Sequence, residues 1–294
     1  MSWRVIVIST RAKLDLQLGY MVVRGERTTK VHLDEISVLL IETTEVSITS
    51  ALLAEMTDRK IKVIFCDSKR NPSAELIPYY GAHDVSAKIK QQIAWSESTK
   101  GDVGTAIIYT KIKMQAALLK KLGLDTAAML EEYAAQLQYR RDASNREGHA
   151  AKVYFNSIFG LGFTRADDIA VNAALNYGYM VLLAACNREI TANGYLTQLG
   201  LIHDNIFNAF NLGSDIMEPL RPFVDYQVYD MLVKDKLHCF DKEQKHELLD
   251  VLNKNVVNNE KQVTLNYAIK LYCKSVFDAL NSNDVSLIKW NSFL

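Results

Sequence analysis

The chain has 294 residues, 49% of them apolar, and its 34 basic residues balance 34 acidic ones. That length and apolar share allow a large buried core in one large or two moderate domains and exclude a disordered chain. A formal charge of zero argues against a simple basic coat for DNA. Four cysteines, Cys66, Cys186, Cys239 and Cys273, stand far apart, with no C-x-x-C pair and no metal-knuckle spacing. They read as reduced thiols, mostly small core residues, of a cytoplasmic protein.

The chain opens with strands. WRVIVIS, KLDLQL, YMVVRG, TKVHLDE and VLLIE are short β-branched runs, several with a period of two, separated by turn residues such as Gly19 and the Gly25-Glu26-Arg27 tip. The run from Trp3 to Ile8 is too short, and too soon followed by charges, to be a signal peptide. A helix is expected over Ser47 to Arg59 and a last strand over Ile61 to Cys66. Asp67 reads as turn chemistry at a strand end. Glycine and proline punctuation from Asp67 to Gly81, with Pro72 and Pro78, marks a linker. The expected class is α+β: a small N-terminal β domain over 1–75, a linker over 76–85, and a larger all-α C-terminal domain over 86–294 that carries the metal site.

From Ser86 the pattern is helical almost to the end. Helices are expected over Val103 to Leu122, Asp125 to Gln138, Ala166 to Thr191 and Val263 to Leu280, with start or stop signals at Gly123 and Asn193-Gly194. Ala170, Ala174 and Gly178 form a small-residue face that lets another helix approach closely. The longest apolar region, Ile169 to Cys186, is interrupted by Asn172 and Asn176 and reads as a buried helix, not a membrane span. Basic residues gather over Lys88 to Lys121 and Arg140 to Arg165, as a phosphate-tracking surface or simply as solvated helix faces. The tail from Lys234 to Lys261, with His238 and His246, is charged and shows no ligand geometry.

Three ligand-type side chains stand on core-facing rows of separate elements. Glu147 begins a stripe with Ala151, Tyr154, Phe155 and Ile158. His203 recurs with Leu196, Leu199, Ile206 and Phe210 at three- and four-residue steps, which predicts a helix with the imidazole facing the core. Ser214 is a fair N-cap for a second helix, on which Ser214, Glu218, Arg221 and Asp225 form one row and Met217, Leu220, Val224 and Met231 another. Pro219 and Pro222 stiffen or kink that helix beside Glu218. Singly, each has an ordinary reading: a hydrogen-bonded core histidine, or a glutamate favouring a helix N-terminus. Together, two carboxylates and an imidazole suit Mg²⁺ or Mn²⁺, and zinc is compatible with the same donors. Arg221 holds a phosphate or braces Glu218, Asp225 stands behind the site, and Asn145, Arg146 and Lys152 are candidate DNA contacts. Asp204 and His149 are rotated away. No Walker loop or nucleophile elbow is present, and Gly160-Leu161-Gly162 lies between helices, not after a strand.

The combination EGHAAKVYF, NAALNYGYMVL, GLIH and DIMEPLRPFVD resembles the CRISPR spacer-acquisition integrase, the catalytic subunit of the adaptation complex, over essentially the whole chain. The opening strands and length look most like the type II branch. The resemblance implies a metal bound by Glu147, His203 and Glu218. It departs from the family at one point, since the third ligand is often Asp there and Glu is longer by a methylene. It implies that the 3′-hydroxyl ends of captured foreign DNA are joined into the repeat array by transesterification, with no protein nucleophile. The implied partners are double-stranded DNA, a second copy through the small β domain, the small second adaptation subunit in a hetero-hexamer, and other type II CRISPR proteins, with no membrane. A stand-alone metal nuclease or phosphodiesterase and a non-catalytic DNA-binding scaffold are the alternatives.

Overall fold

The computed structural model describes residues 4–68, 70, 72–76, 78, 84–137, 145–167, 169–258 and 261–292. The start of the first predicted strand, the helix end at Gln138, Arg140 with Arg141, and most of the predicted linker over 76–85 fall outside them. The chain divides into two compact units, Met1–Val85 with Thr191–Gly194, and Ser86–Ile190 with Tyr195–Leu294.

The first unit builds two four-stranded sheets. Its strands are β1 (Arg4–Ile8), β2 (Ala12–Gln17), β3 (Tyr20–Arg24), β4 (Thr28–His32), β5 (Ile36–Ile41) and β6 (Val46–Ile48), followed by helix α1 (Ser50–Asp58) and strands β7 (Lys62–Cys66) and β8 (Pro72–Leu76). One sheet has the order β4-β3-β2-β6 and the other β1-β5-β7-β8. β2 and β3 turn through Leu18 and Gly19, both at positive φ, which gives a two-residue hairpin the twist its strands require. β5 is buried along its whole length and runs parallel to β1 and β7, as a central strand covered on both faces. Leu14, Met21, Leu33, Ile36, Leu39, Leu52, Met56 and Val63 form the core between these elements.

Two expectations are corrected here. Val46–Ile48 is a strand and not the start of a helix; α1 begins after Thr49, whose hydroxyl accepts the Leu52 N–H at 3.4 Å as an N-cap. Part of the stretch read as linker, Pro72–Leu76, pairs antiparallel with β7. Proline is tolerated at a strand's first residue, so its presence did not prevent pairing.

The second unit is helical, as expected. It comprises α2 (Val85–Ile93), α3 (Glu97–Lys121), α4 (Ala127–Ala135), α5 (Arg146–Phe159), α6 (Ala170–Ala192), α7 (Asn211–Met217), α8 (Arg221–Val233), α9 (Lys242–Leu249) and α10 (Leu265–Ser282). It also holds a three-stranded sheet, absent from the all-helical expectation: β9 (Asn255–Asn258), flanked by β10 (Lys261–Thr264) and β11 (Asn291–Ser292). The sheet takes up part of the charged tail, whose polar composition hides its strand pairing. α3, capped by Ser96, is the long central rod. It packs through Ile108, Ile112, Ala116 and Leu119 with Leu130 of α4 and Ala150, Tyr154 and Ile158 of α5. Among the described residues no helix is long and apolar enough to cross a membrane.

Candidate metal centre

α7 and α8 are separated by a single 3₁₀ turn, Glu218–Leu220. Pro219 and Pro222 fall in the first two positions of the turn and of α8, where a missing N–H costs little. Tight winding has a geometric effect, since side chains three residues apart nearly eclipse in a 3₁₀ turn. Arg221 therefore lies over Glu218, its Nη2 2.8 Å from Glu218 Oε1.

Glu218 is buried, its side chain only 3% exposed. α3 passes this turn and supplies Lys111, whose Nζ lies 2.6 Å from Glu218 Oε2 and 2.6 Å from Glu147 Oε1. Glu147 enters from the first turn of α5, at the head of the stripe that buries Tyr154 and Ile158. The two glutamates are thus brought to one ammonium. Burial works to neutralise Glu218, but Lys111 and then Arg221 hold its carboxyl below the usual range. Burial likewise works against the Lys111 ammonium, and Glu218 with Glu147 outweighs it, so Lys111 stays charged. Lys111 touches Glu218 Oε2 as an ion pair without hydrogen-bond alignment, and that buried oxygen has no hydrogen-bond partner. Lys111 was legible only as one member of a basic stretch.

His203 does not sit on a helix. Residues 193–210 are irregular, and Ile206, expected on the core-facing row, is exposed, as is its neighbour Phe207. Three asparagines explain the difference. The Asn205 side chain accepts the Phe207 N–H at 2.9 Å, Asn208 accepts the Phe210 N–H at 2.9 Å, and Asn211 holds the Asn205 carbonyl at 3.0 Å. Side chains that bind backbone so close by compete with the helix ladder and win here. α7 consequently starts at Asn211, and Ser214 lies inside it instead of capping it.

Asp215 anchors this loop from α7. Its fully buried carboxylate accepts the backbone N–H groups of Ile202 and His203 at 3.1 and 3.0 Å, with Leu201 N at 2.5 Å, and contacts His203 Nδ1 at 2.6 Å. A carboxylate can only accept, so in the neutral imidazole the proton lies on Nδ1 and the Nε2 lone pair is left for a ligand, the arrangement common in metal-binding histidines. The hydrogen bond to Asp215 raises the His203 pKa; burial opposes it, and Glu218 adds to the rise. Gly200 allows the tight approach, because a Cβ there would lie 2.2 Å from the His203 carbonyl oxygen. Asp215 was missed in the sequence; its one signal is an acid three residues before Glu218 in an otherwise apolar stretch.

Asp225 lies behind Arg221, fully buried, accepting the hydroxyls of Tyr154 at 2.7 Å and of Tyr179. Burial pushes its carboxyl up to about 6, although the two tyrosines and Arg221 pull the other way. The Arg221 guanidinium stacks 4.6 Å from the Tyr179 ring centre. Asp225 thus holds Tyr154 and Tyr179, the latter against the Arg221 guanidinium.

Of the other candidates, Asn145 stands in left-handed conformation at the start of α5 and is exposed, and Lys152, five residues beyond Glu147, is exposed. The Arg146 guanidinium lies 5.6 Å from the Tyr133 ring centre. His149 and Asp204 are exposed, as expected of side chains rotated away. Among the described residues no three His, Cys, Asp or Glu side chains close around a common point; the Lys111 ammonium lies between the two glutamates. The donor set still fits a hard divalent cation: two carboxylates, one with an oxygen lacking a hydrogen-bond partner, and an imidazole with its second nitrogen tied.

Residues 5–260 match the family described as CRISPR associated protein Cas1. The chain is 38% identical over 239 residues to the CRISPR-associated endonuclease Cas1 of Neisseria meningitidis serogroup C, covering 81% of this chain and 78% of that one. In fold it is similar to a casposase bound to integration product, with a TM-score of 0.77 at 18% identity over 97% of this chain and 93% of that one. It is also similar to a chain of a Cas6-RT-Cas1–Cas2 complex, with a TM-score of 0.77 at 17% identity, over 98% of this chain and 36% of that longer one. The chain belongs to the CRISPR-associated Cas1 family.

Proposed function

We propose that this member of the Cas1 family, an endonuclease and integrase of CRISPR adaptation, uses Glu147, His203 and Glu218 as the ligands of a divalent cation, Mg²⁺ or Mn²⁺. The observation that carries the reading is the convergence of Glu147 and Glu218 on one cationic point, with His203 Nε2 left available by Asp215. When bound, such a cation stabilises the charge that develops on a phosphodiester and helps activate an attacking hydroxyl.

The chain's own groups prepare that chemistry. Asp215 fixes the loop and orients the imidazole. Arg221 holds one oxygen of Glu218 at 2.8 Å, which leaves the other to face the site. Lys111 neutralises the two carboxylates and would have to yield its place between them to a bound cation. The attacking group in this reading is the 3′-hydroxyl of a captured DNA fragment, so no protein nucleophile is required. Asn145, Arg146 and Lys152 contact the DNA beside Glu147. The β unit over 1–75 pairs two copies of the chain, and the small Cas2 subunit joins them, as the Cas1–Cas2 complexes among its structural relatives suggest.

A strand-transfer assay tests this. Purified protein, Mn²⁺ or Mg²⁺ and a branched DNA mimicking half-integrated product should give rejoined strands, and Glu218→Ala or a chelator should abolish them. Cutting without rejoining would favour a stand-alone nuclease. No turnover, even with the small subunit added, would leave a DNA-binding scaffold.

A further inference from the structure

Two large apolar side chains stand in solvent on the same loop as His203: Ile206 is 88% exposed and Phe207 90% exposed. Nothing in the loop's own construction requires them to be apolar. Its backbone is held by asparagine side chains at positions 205, 208 and 211 and by the Thr197 hydroxyl, which donates to the Ala209 carbonyl at 2.8 Å. Its base is fixed by Asp215 and by Ile202, which lies against Gly104 of α3, where a Cβ would come within 2.9 Å. The loop is therefore built as a rigid mount that displays an apolar tip.

We propose that Ile206 and Phe207 form a wedge that enters the stacked bases of duplex DNA beside the attacked phosphate. This rests on the reading of His203 as part of a DNA-joining site. Consecutive Cα atoms are about 3.8 Å apart, so Ile206 and Phe207 stand within roughly 11 and 15 Å of His203 along the chain. At about 3.4 Å per base pair, that backbone span corresponds to about four pairs, which sets the tip over base steps near the scissile phosphate. Phosphate contacts need charge and hydrogen-bond donors, which neither residue has. Large apolar side chains at such a site suit insertion between base pairs, which kinks the duplex and opens its backbone.

The test uses the full chain and a duplex with 2-aminopurine placed within four pairs of the junction, in Ca²⁺ to limit turnover. Wild type should raise the fluorescence, and Ile206→Ser/Phe207→Ser should not, while anisotropy shows binding of the same DNA retained. In Mn²⁺ the double variant should lose roughly tenfold or more in strand transfer on a paired target and regain most of it when one flanking pair is mismatched, since unstacking is then already done. Equal loss on both targets, unchanged activity on the paired one, or no wild-type fluorescence change would overturn the wedge. A change in the variant's oligomeric mass or in its binding of the small subunit would instead assign the tip to a protein interface. Because the fluorescence needs no turnover, it decides the wedge even where wild type joins no strands, an outcome that counts against the catalytic reading alone.

Discussion

Lys111 Nζ lies 2.6 Å from Glu218 Oε2, so the buried carboxylate offered to a cation is already paired with a cation of the protein's own. The lysine ammonium supplies positive charge at the point proposed for the ion and would compete with it.

Lys111→Met should therefore act in opposite directions on stability and on cation response. Without divalent cation the variant should lose roughly 3 kcal/mol, the usual scale for stripping a partner from a buried charge. Mn²⁺ should then raise its melting temperature by more than it raises that of wild type. Thermal melts across a Mn²⁺ titration check this; a smaller cation response in the variant would show that Lys111 aids binding.

Asp215→Asn keeps the shape of the side chain but can no longer accept from all of its donors. The His203 ring should lose its fixed tautomer, and strand transfer should fall about 10- to 100-fold, as when the support of a metal-bound histidine is removed. Parallel loss in Mn²⁺ affinity, read by calorimetry on the folded variant, separates this from a folding defect. Unchanged affinity would confine Asp215 to holding the loop.

The carboxyl of Asp225 titrates at about 6 in the fold against an ordinary 3.8. A raised carboxyl pKa means that the folded chain keeps a proton the unfolded chain has released. Stability should fall as pH rises from about 4 to about 6, by about 3 kcal/mol from this group, and stay level above that. The groups that set this shift, besides burial, are Tyr179, Tyr154, Arg221 and Arg165. Asp225→Asn should flatten the slope in that window. Urea midpoints between pH 4 and 7 measure it, and parallel profiles for the two proteins would dismiss the assignment.

Gly178 of α6 faces Val224 of α8 so closely that a Cβ would lie 2.4 Å from Val224 Cγ1. Gly178→Ala should cost about 1–3 kcal/mol through overpacking, and adding Val224→Ala should restore part of it. A double-mutant cycle by denaturant unfolding reads the coupling; additive costs would mean that the two residues do not meet.

What could be read from the chain and what could not divide along physical lines. β5 and its neighbours announce themselves because β-branched runs carry their own pairing preference, and Gly178 was legible because a small face has few uses besides close approach. The pairing of Glu147 with Glu218 was implied by the family resemblance; the residues alone showed only that Glu147 heads an apolar stripe and that Glu218 lies on a polar row beside two prolines. The loop around His203 was not legible, because Leu196, Leu199, Ile206 and Phe210 keep helical spacing while Asn205, Asn208 and Asn211 quietly supply the hydrogen bonds a helix would have used. Lys111 and Asp215 carry no local mark. Each matters only through groups distant in sequence that folding brings within 3 Å.

Counting formal charge around the centre, Glu147, Glu218 and Asp215 face Lys111 and Arg221, which leaves one negative charge when His203 is neutral. On the proposed reading, a bound dication would turn this balance to one positive charge, so the affinity of this point for a phosphate would rise when the cation is held by Glu147, His203 and Glu218.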